Sequence, residues 1–294
     1  MPPRIKTPPA VPGTDCLSDL RQVPHVIEAP HDDVDLQVVY GWLMLQPLPS
    51  LLTGAVHDAV EYVLDGARTW RFDLDSPEVD SDERRTVGTK LQYRVLAALG
   101  LAKEKPLDTR IMGVAVELKG TIGTTWMIPR EGQCEICMLI QVDTARDRHR
   151  SFLMRTHRLW LHGGDGNQDS KRGVQAGALA AYSLRLLDWT PLPVNPLKLL
   201  TEHQREVVFA PHEGQARRLT ALFGYLPEVV IPRSSILTVC ANRQDPLRRA
   251  RQIKEAVLEE HGLRVLCGKW PAERDEAAVR GFDISDAAWV ALRP

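Results

Sequence analysis

The chain reads as an α/β domain with a sheet flanked by helices, followed by a mainly helical domain. Three observations predict this. Runs rich in β-branched and other apolar residues cluster between about residues 109 and 162, and stretches with helical spacing bracket them. Three prolines fall within "DWTPLPVNP", where no helix continues. Beyond that run the apolar spacing is almost entirely helical.

Residues 1–35 are rich in proline and polar residues, lack periodicity, and are expected to form a disordered tail. In "PSLLTGAVHDAVEYVLDGA", Leu52, Val56, Ala59, Val60 and Val63 recur at helical spacing. "SPEVDSDERRTVGTKLQYRVLAALG" opens acidic and becomes helical, with Gly100 as its stop. Three strands are predicted next, in "TRIMGVAVELKG", "CEICMLIQVDT" and "SFLMRTHRLWLH", the last two joined by the charged connection "ARDRHR". The loop "HGGDGNQDSKRG" leads into a helical "VQAGALAAYSLRLL". This assigns residues 36–188 to the first domain, 189–195 to a linker and 196–294 to the second domain. In the second domain "PLKLLTEHQREVVF", "PHEGQARRLTALFGYL", "RSSILTVCANR" and "DPLRRARQIKEAVLEEHG" are predicted helices, and "LRVLCGKW" a short strand.

The 294 residues are 44% hydrophobic, ample for a core, and the formal net charge of -1 excludes a global polycation. No run is long enough to span a bilayer, and the start lacks the apolar stretch of a signal peptide. Five cysteines, an odd number, point to reduced thiols and a cytoplasmic setting. Cys134 and Cys137 form a lone C-x-x-C. One such pair without a second is a poor zinc signature, so both read as small apolar residues of a strand. His57 and His157 have no partner legible in the sequence and read as structural.

"PLDTRIMGVAVELKG" carries the chemistry. On a strand through Gly113–Lys119, Val114, Val116 and Leu118 share one face, and Gly113, Ala115, Glu117 and Lys119 share the other. Glu117 and Lys119 therefore stand together beside small neighbours. Asp108 lies at the start of this strand or in the turn before it, where a bend or a neighbouring strand brings it to Glu117. Two carboxylates suit Mg²⁺, with Mn²⁺ as its substitute, and the ion polarises a phosphodiester. Lys119 orients the attacking water or stabilises charge on the phosphorane. The pattern P-L-D-x8-E-L-K resembles the PD-(D/E)xK nuclease signature. For "ExK" alone an ordinary ion pair at a strand end is the commoner explanation.

Context decides. "TVGTKLQYRVLAALGL", then the Asp108–Lys119 strand, then Trp126, Met127, Ile128 and Pro129, then "GNQDSKRGVQAGAL", then His212, Gly214, Gln215, Ala216 and Arg217 occur in that order. Together they resemble the NaeI family of restriction endonucleases over about residues 40–270. The resemblance implies a restriction-endonuclease-like domain with a central mixed sheet. It also implies a winged helix-turn-helix-like second domain that binds a second duplex. The implied partners are double-stranded DNA, as one or two duplexes, and a second copy of the chain. Asp108 and Glu117 match the metal carboxylates and Lys119 the catalytic lysine. Where the family places a helical Glu, this chain has Gln92, which brings a ligand oxygen but no charge. That departure keeps two alternatives open: a repair enzyme nicking mismatched or modified DNA, and a DNA-binding protein with an inactive nuclease fold.

Between Arg205 and Lys254 nine basic residues stand against four acidic ones, a local excess suited to a phosphate backbone. "HEGQARRLTALF" and "RSSILTVCANR" are candidates for the two helices of a helix-turn-helix. They supply Arg217, Arg233, Ser234, Ser235, Asn242 and Arg243 as candidate DNA contacts. Ser234 is equally a candidate N-cap. In the first domain Lys171 and Arg172 are candidate contacts, whereas Arg146, Arg148 and Arg150 read as loop charge.

Overall fold

The structure, a computed structural model, describes residues 8–17, 24–163, 170–241 and 243–294. It divides into two compact units, one of residues 1–60 and 81–193, the other of 61–80 and 194–294.

In chain order the first unit holds β1 (Asp15–Cys16), β2 (His25–Val26), α1 (Val34–Met44) and most of α2 (Leu48–Leu64). The chain then crosses into the second unit for α3 (Gly66–Thr69) and returns for α4 (Ser81–Ala98). There follow β3 (Thr109–Ile111), β4 (Val114–Thr121), β5 (Met127–Ile128), β6 (Ile136–Asp143), β7 (Arg148–Arg155), β8 (Arg172–Gly173), α5 (Ala176–Tyr182) and β9 (Leu184–Pro191). A mixed five-stranded sheet runs β3-β4-β6-β7-β9, with β4 and β6 parallel and the other pairs antiparallel. Helix α4 packs on β4, and α1 packs against β7 and β9.

Four sequence expectations change here. "TRIMGVAVELKG" is two strands, because Met112 and Gly113 both take positive φ and close a two-residue hairpin between Ile111 and Val114. The helix in "VQAGALAAYSLRLL" stops at Tyr182. Leu184–Pro191 is instead the last strand of the sheet, and it takes in the first residues of the expected linker. An outer strand tolerates Pro191, one of the three prolines that argued for a linker. The expected tail is partly ordered as well. β1 and β2 pair with Cys16 opposite His25, Ile27 and Cys16 are buried, and Trp160 Nε1–H donates to the Ala10 carbonyl (2.8 Å).

Buried polar groups tie this unit together. Asp33 caps α1 through the Leu36 N–H (3.0 Å) and forks with Arg155 (2.5 and 2.9 Å). His149 on β7 is fully buried and bonds Thr53 of α2 (2.9 Å); burial pushes its pKa down to about 4. An unfolded histidine titrates near 6.5, so between that pH and about 4 the unfolded chain holds the extra proton. The His149 contribution to stability should therefore fall by about 2–3 kcal/mol as pH drops through this window. Urea unfolding at several pH values checks this, with His149→Gln losing most of the slope.

The second unit continues with α6 (Glu202–Val208), α7 (Gln215–Tyr225), α8 (Arg233–Cys240), α9 (Pro246–Gln252), α10 (Lys254–His261), β10 (Arg264–Cys267), α11 (Pro271–Val279) and β11 (Trp289–Leu292). β10 and β11 are antiparallel, and Ile231 adds a bridge to Trp289. Residues 61–80 belong here because their bulky groups pack here. Phe72 stacks on Phe209 at 5.4 Å, and Gly66 lies so close to Thr238 that a Cβ would meet its Oγ1 at 2.3 Å. Arg218, counted in the sequence among the surface cations, is wholly buried. Its guanidinium donates to the carbonyls of Ala210 (3.0 and 2.7 Å), just past the cap of α6, and Val239 (3.3 Å), in the last turn of α8. It also lies 4.7 Å from the Trp70 ring. Carbonyls at helix C-termini carry the partial negative charge that makes such a burial tolerable.

Candidate active site

The hairpin explains the eight-residue gap between Asp108 and Glu117. Thr109 pairs with Val116. One step further out, Asp108 stands across from Glu117, and opposed residues of an antiparallel pair share a face. Both side chains are buried, at 6% and 4% exposure.

Asp108 and Gln92 together close the end of the β3–β4 ladder. Past Thr109 the Leu118 N–H and C=O have no strand partner on this side. Asp108 Oδ2 accepts the Leu118 N–H at 2.9 Å, and Gln92 Nε2 donates to the Leu118 carbonyl at 2.6 Å. Gln92 Nε2 also donates to Asp108 Oδ2 at 2.9 Å. Asp108 Oδ1 is left facing Lys103, whose Nζ is 3.5 Å away on a half-exposed side chain. A glutamate at position 92 would set a carboxylate against two acceptors in the absence of a cation. The amide avoids that conflict.

Gln92 reaches this position because α4 lies unusually close to β4. A Cβ on Gly88 would meet the Gly120 carbonyl oxygen at 2.6 Å, and one on Gly120 would meet Leu91 Cδ2 at 2.9 Å. Gln92 sits one helical turn after Gly88. The sequence contained both glycines, but only the register of helix on strand reveals their task.

On the same face as Asp108, Glu117 Oε1 is 2.6 Å from Lys119 Nζ. Burial pushes the Glu117 carboxyl above its ordinary range; Lys119 opposes this, and nearby Asp108 and Glu131 reinforce it. The turn at Arg130–Gly132 walls this side, since a Cβ on Gly132 would lie 3.4 Å from Glu117 Cγ. Gln133 ends that turn and its Nε2 donates to the Ser170 carbonyl at 3.3 Å, which anchors Ser170, the residue before Lys171. Arg172 pairs with Ile128 in the β5–β8 ladder. Trp126 is buried, with its Nε1–H on the Ile140 carbonyl at 2.9 Å.

The four candidate catalytic residues thus converge, whereas the candidate DNA contacts are scattered. Arg217 on α7 pairs with Glu260 at 2.6 Å. Arg233 and Arg243 are exposed, at the start of α8 and just beyond its end. Ser234 does not cap α8, whose N-cap is Pro232. Ser235 is fully buried, and its hydroxyl donates to Asn195 Oδ1 at 3.4 Å, so it faces the core rather than a ligand. Asn242 lies outside the described residues. The "ARDRHR" charges are tied down: Arg146 and Arg148 pair with Asp143 at 3.3 and 2.9 Å, and Arg150 sits 4.5 Å from the Trp189 ring. Cys137 is a buried core thiol pushed up to about 12 by burial. Cys134 does not pair with it. Cys134 instead meets Cys16 at 3.7 Å, and His157 meets His25 at 3.1 Å, partners that the sequence had assigned to the tail.

The family model described as restriction endonuclease NaeI matches residues 36–285, most of the chain. Comparison with curated proteins gives no match.

Proposed function

The chain belongs to the NaeI restriction endonuclease family, whose substrate is DNA, and from that premise we propose a divalent-metal-dependent, site-specific endonuclease of double-stranded DNA with Asp108, Glu117, Lys119 and Gln92 as its active site. The observation that carries the reading is the pairing of two buried carboxylates across a hairpin, one tied to Gln92 and the other to Lys119.

The donor set fits a hard cation such as Mg²⁺, or Mn²⁺ in its place. Both carboxylates are buried side by side and offer oxygens. Asp108 and Glu117 would hold the ion, which when bound would supply positive charge at the scissile phosphate and acidify a water. Asp108 keeps its orientation through the Leu118 and Gln92 N–H groups, and Oδ1, which faces the half-exposed Lys103 at 3.5 Å, is the oxygen that would turn to the ion in place of that lysine. Lys119 holds the attacking water in line with the phosphorus and offsets charge as the P–O bond to the leaving oxygen breaks. The products are a phosphate monoester and a hydroxyl end.

The second unit is proposed to hold a second duplex, with two copies of the chain acting on a palindrome. Its order of helix (α7), bridging strand residue (Ile231), three helices (α8, α9 and α10) and two strands with α11 between them supports a winged helix-turn-helix reading. In that reading the groove-reading segment is α9 rather than α8. Arg243, Arg248 and Arg249 are exposed around its start. Replacing Arg248 and Arg249 with Ala should weaken DNA binding across all sequences and flatten its salt dependence by about 0.9 for each phosphate no longer neutralised. Fluorescence anisotropy over a salt series measures this.

The direct test incubates the purified full chain and Mg²⁺ with a large, sequence-diverse plasmid, then sequences the ends. Breaks at one short recurrent sequence, stopped by EDTA, are the expected result. DNA binding without any nick or break, in Mg²⁺ or Mn²⁺, would instead assign a nuclease fold that no longer cuts.

A further inference from the structure

We propose that Cys16, His25, Cys134 and His157 form a tetrahedral zinc site that clips the amino-terminal hairpin to the end of the β6–β7 ladder. Their four donor atoms lie within 4.8 Å of one another, and no other such group occurs among the described residues.

The backbone makes the arrangement specific. Cys16 and His25 are direct partners in the β1–β2 register. Beyond Ile136↔Arg155 the β6–β7 ladder ends in a bulge, with the Cys134 N–H donating to the Thr156 carbonyl (2.8 Å) and the Thr156 N–H to the Glu135 carbonyl (2.9 Å), which holds Cys134 beside the start of the turn at His157. Each of two hairpin ends thus presents one thiol and one imidazole side by side, and the two pairs face each other. Sulfurs about 2.3 Å from a tetrahedral ion are about 3.8 Å apart, and imidazole nitrogens at about 2.0–2.1 Å are about 3.3–3.4 Å apart. The two sulfurs stand at 3.7 Å, and His25 Nε2 and His157 Nδ1 at 3.1 Å. A disulfide needs about 2.05 Å, and all five cysteines are thiols.

Charge balance suits burial. On binding, both thiols release their protons to solvent, both imidazoles bind neutral, and two thiolates cancel the dication. Cys16, Cys134 and His157 are at most 1% exposed, where an uncancelled charge would be costly. The surroundings hold the ligands in place. The Arg158 N–H donates to Cys134 Sγ at 3.3 Å, and Trp160 packs edge-on to His157 at 4.7 Å. Cys134 adopts φ +66°, a conformation a non-glycine residue keeps only where its neighbours enforce it. Thiol S–H groups are weak donors, so a cation satisfies this cluster better than its own members do.

The site is separate from the carboxylates of the proposed active centre, and its test does not depend on cleavage. Full-length protein purified from zinc-supplemented cells is analysed by elemental mass spectrometry after dialysis against Mg²⁺. About one zinc per chain is expected. Apoprotein refilled with Co²⁺ should show tetrahedral visible bands together with a near-ultraviolet thiolate charge-transfer band, which a carboxylate site does not give. Cys16→Ser and His25→Ala should hold less than about a tenth of the wild-type zinc, and Cys240→Ala should hold it all. Where Cys16→Ser fails to fold, the wild-type metal content and cobalt spectrum decide. Zinc-free wild type with no thiolate band overturns the proposal, as does a Cys16–Cys134 disulfide in the intact mass. Equal loss of zinc from Cys240→Ala also overturns it.

Discussion

Lys119→Ala protein will bind DNA and fold normally but cleave at least about 10³-fold more slowly than wild type in Mg²⁺. Nζ is the cation 2.6 Å from Glu117 Oε1, on the face where the two carboxylates meet. Its removal leaves Glu117 buried without that partner, and the carboxyl responds by taking up a proton more readily. A protonated Glu117 costs the fold little, so the melting temperature should move by only a few degrees. The damage falls on the reaction, where nothing now fixes the water or offsets phosphorane charge. Lys119→Arg should be nearly as poor, because a planar guanidinium does not reproduce a compact ammonium. Gel assays of single-turnover cleavage, with Ca²⁺-supported DNA binding as control, measure both effects. Cleavage by Lys119→Ala within tenfold of wild type would remove the lysine from the mechanism.

Gly88→Ala sets two effects of opposite sign against each other. Mid-helix, Ala is favoured over Gly by about 1 kcal/mol. The new Cβ, however, would stand 2.6 Å from the Gly120 carbonyl oxygen, a backbone atom on a strand held on its far side by β6. That contact costs about 3 kcal/mol, the upper part of the usual overpacking range. A net loss of about 2 kcal/mol in urea unfolding is therefore expected. Cleavage should fall by about 10²-fold, because a helix pushed outward withdraws Gln92 from Asp108 and Leu118. Stabilisation by Gly88→Ala would mean that α4 is free to yield and that its closeness to β4 does not position the site.

What the sequence disclosed divides along the line between local and non-local information. Helix α4, the apolar strands and the face shared by Glu117 and Lys119 follow from periodicity. The Asp108–Glu117 pairing needed a hairpin at Met112–Gly113, and Met-Gly is a weak turn signal beside Asn-Gly. β9 was hidden because Pro191 at its end and the prolines that follow resemble a linker until β7 is placed beside it. Residues 61–80 look continuous with α2, yet Trp70 and Phe72 find their partners more than a hundred residues later, at Arg218 and Phe209. Cys16 and His25 carried no periodic signal. Spacing within the tail says nothing about Cys134 or His157, which chain topology alone brings near. Ser235 was misread for a related reason: at a helix start a serine's burial depends on what lies opposite, here Asn195.

The buried Arg218 separates two properties that salt usually entangles. Its positive charge faces carbonyl dipoles inside the core rather than counter-ions in solvent, so dissolved electrolyte reaches it poorly. The arginines around α9 are exposed, and in the proposed DNA-binding reading their hold on phosphate weakens as ionic strength rises. Concentrated salt should consequently elute the protein from a polyanionic column still folded, and the same wash serves as a gentle purification step.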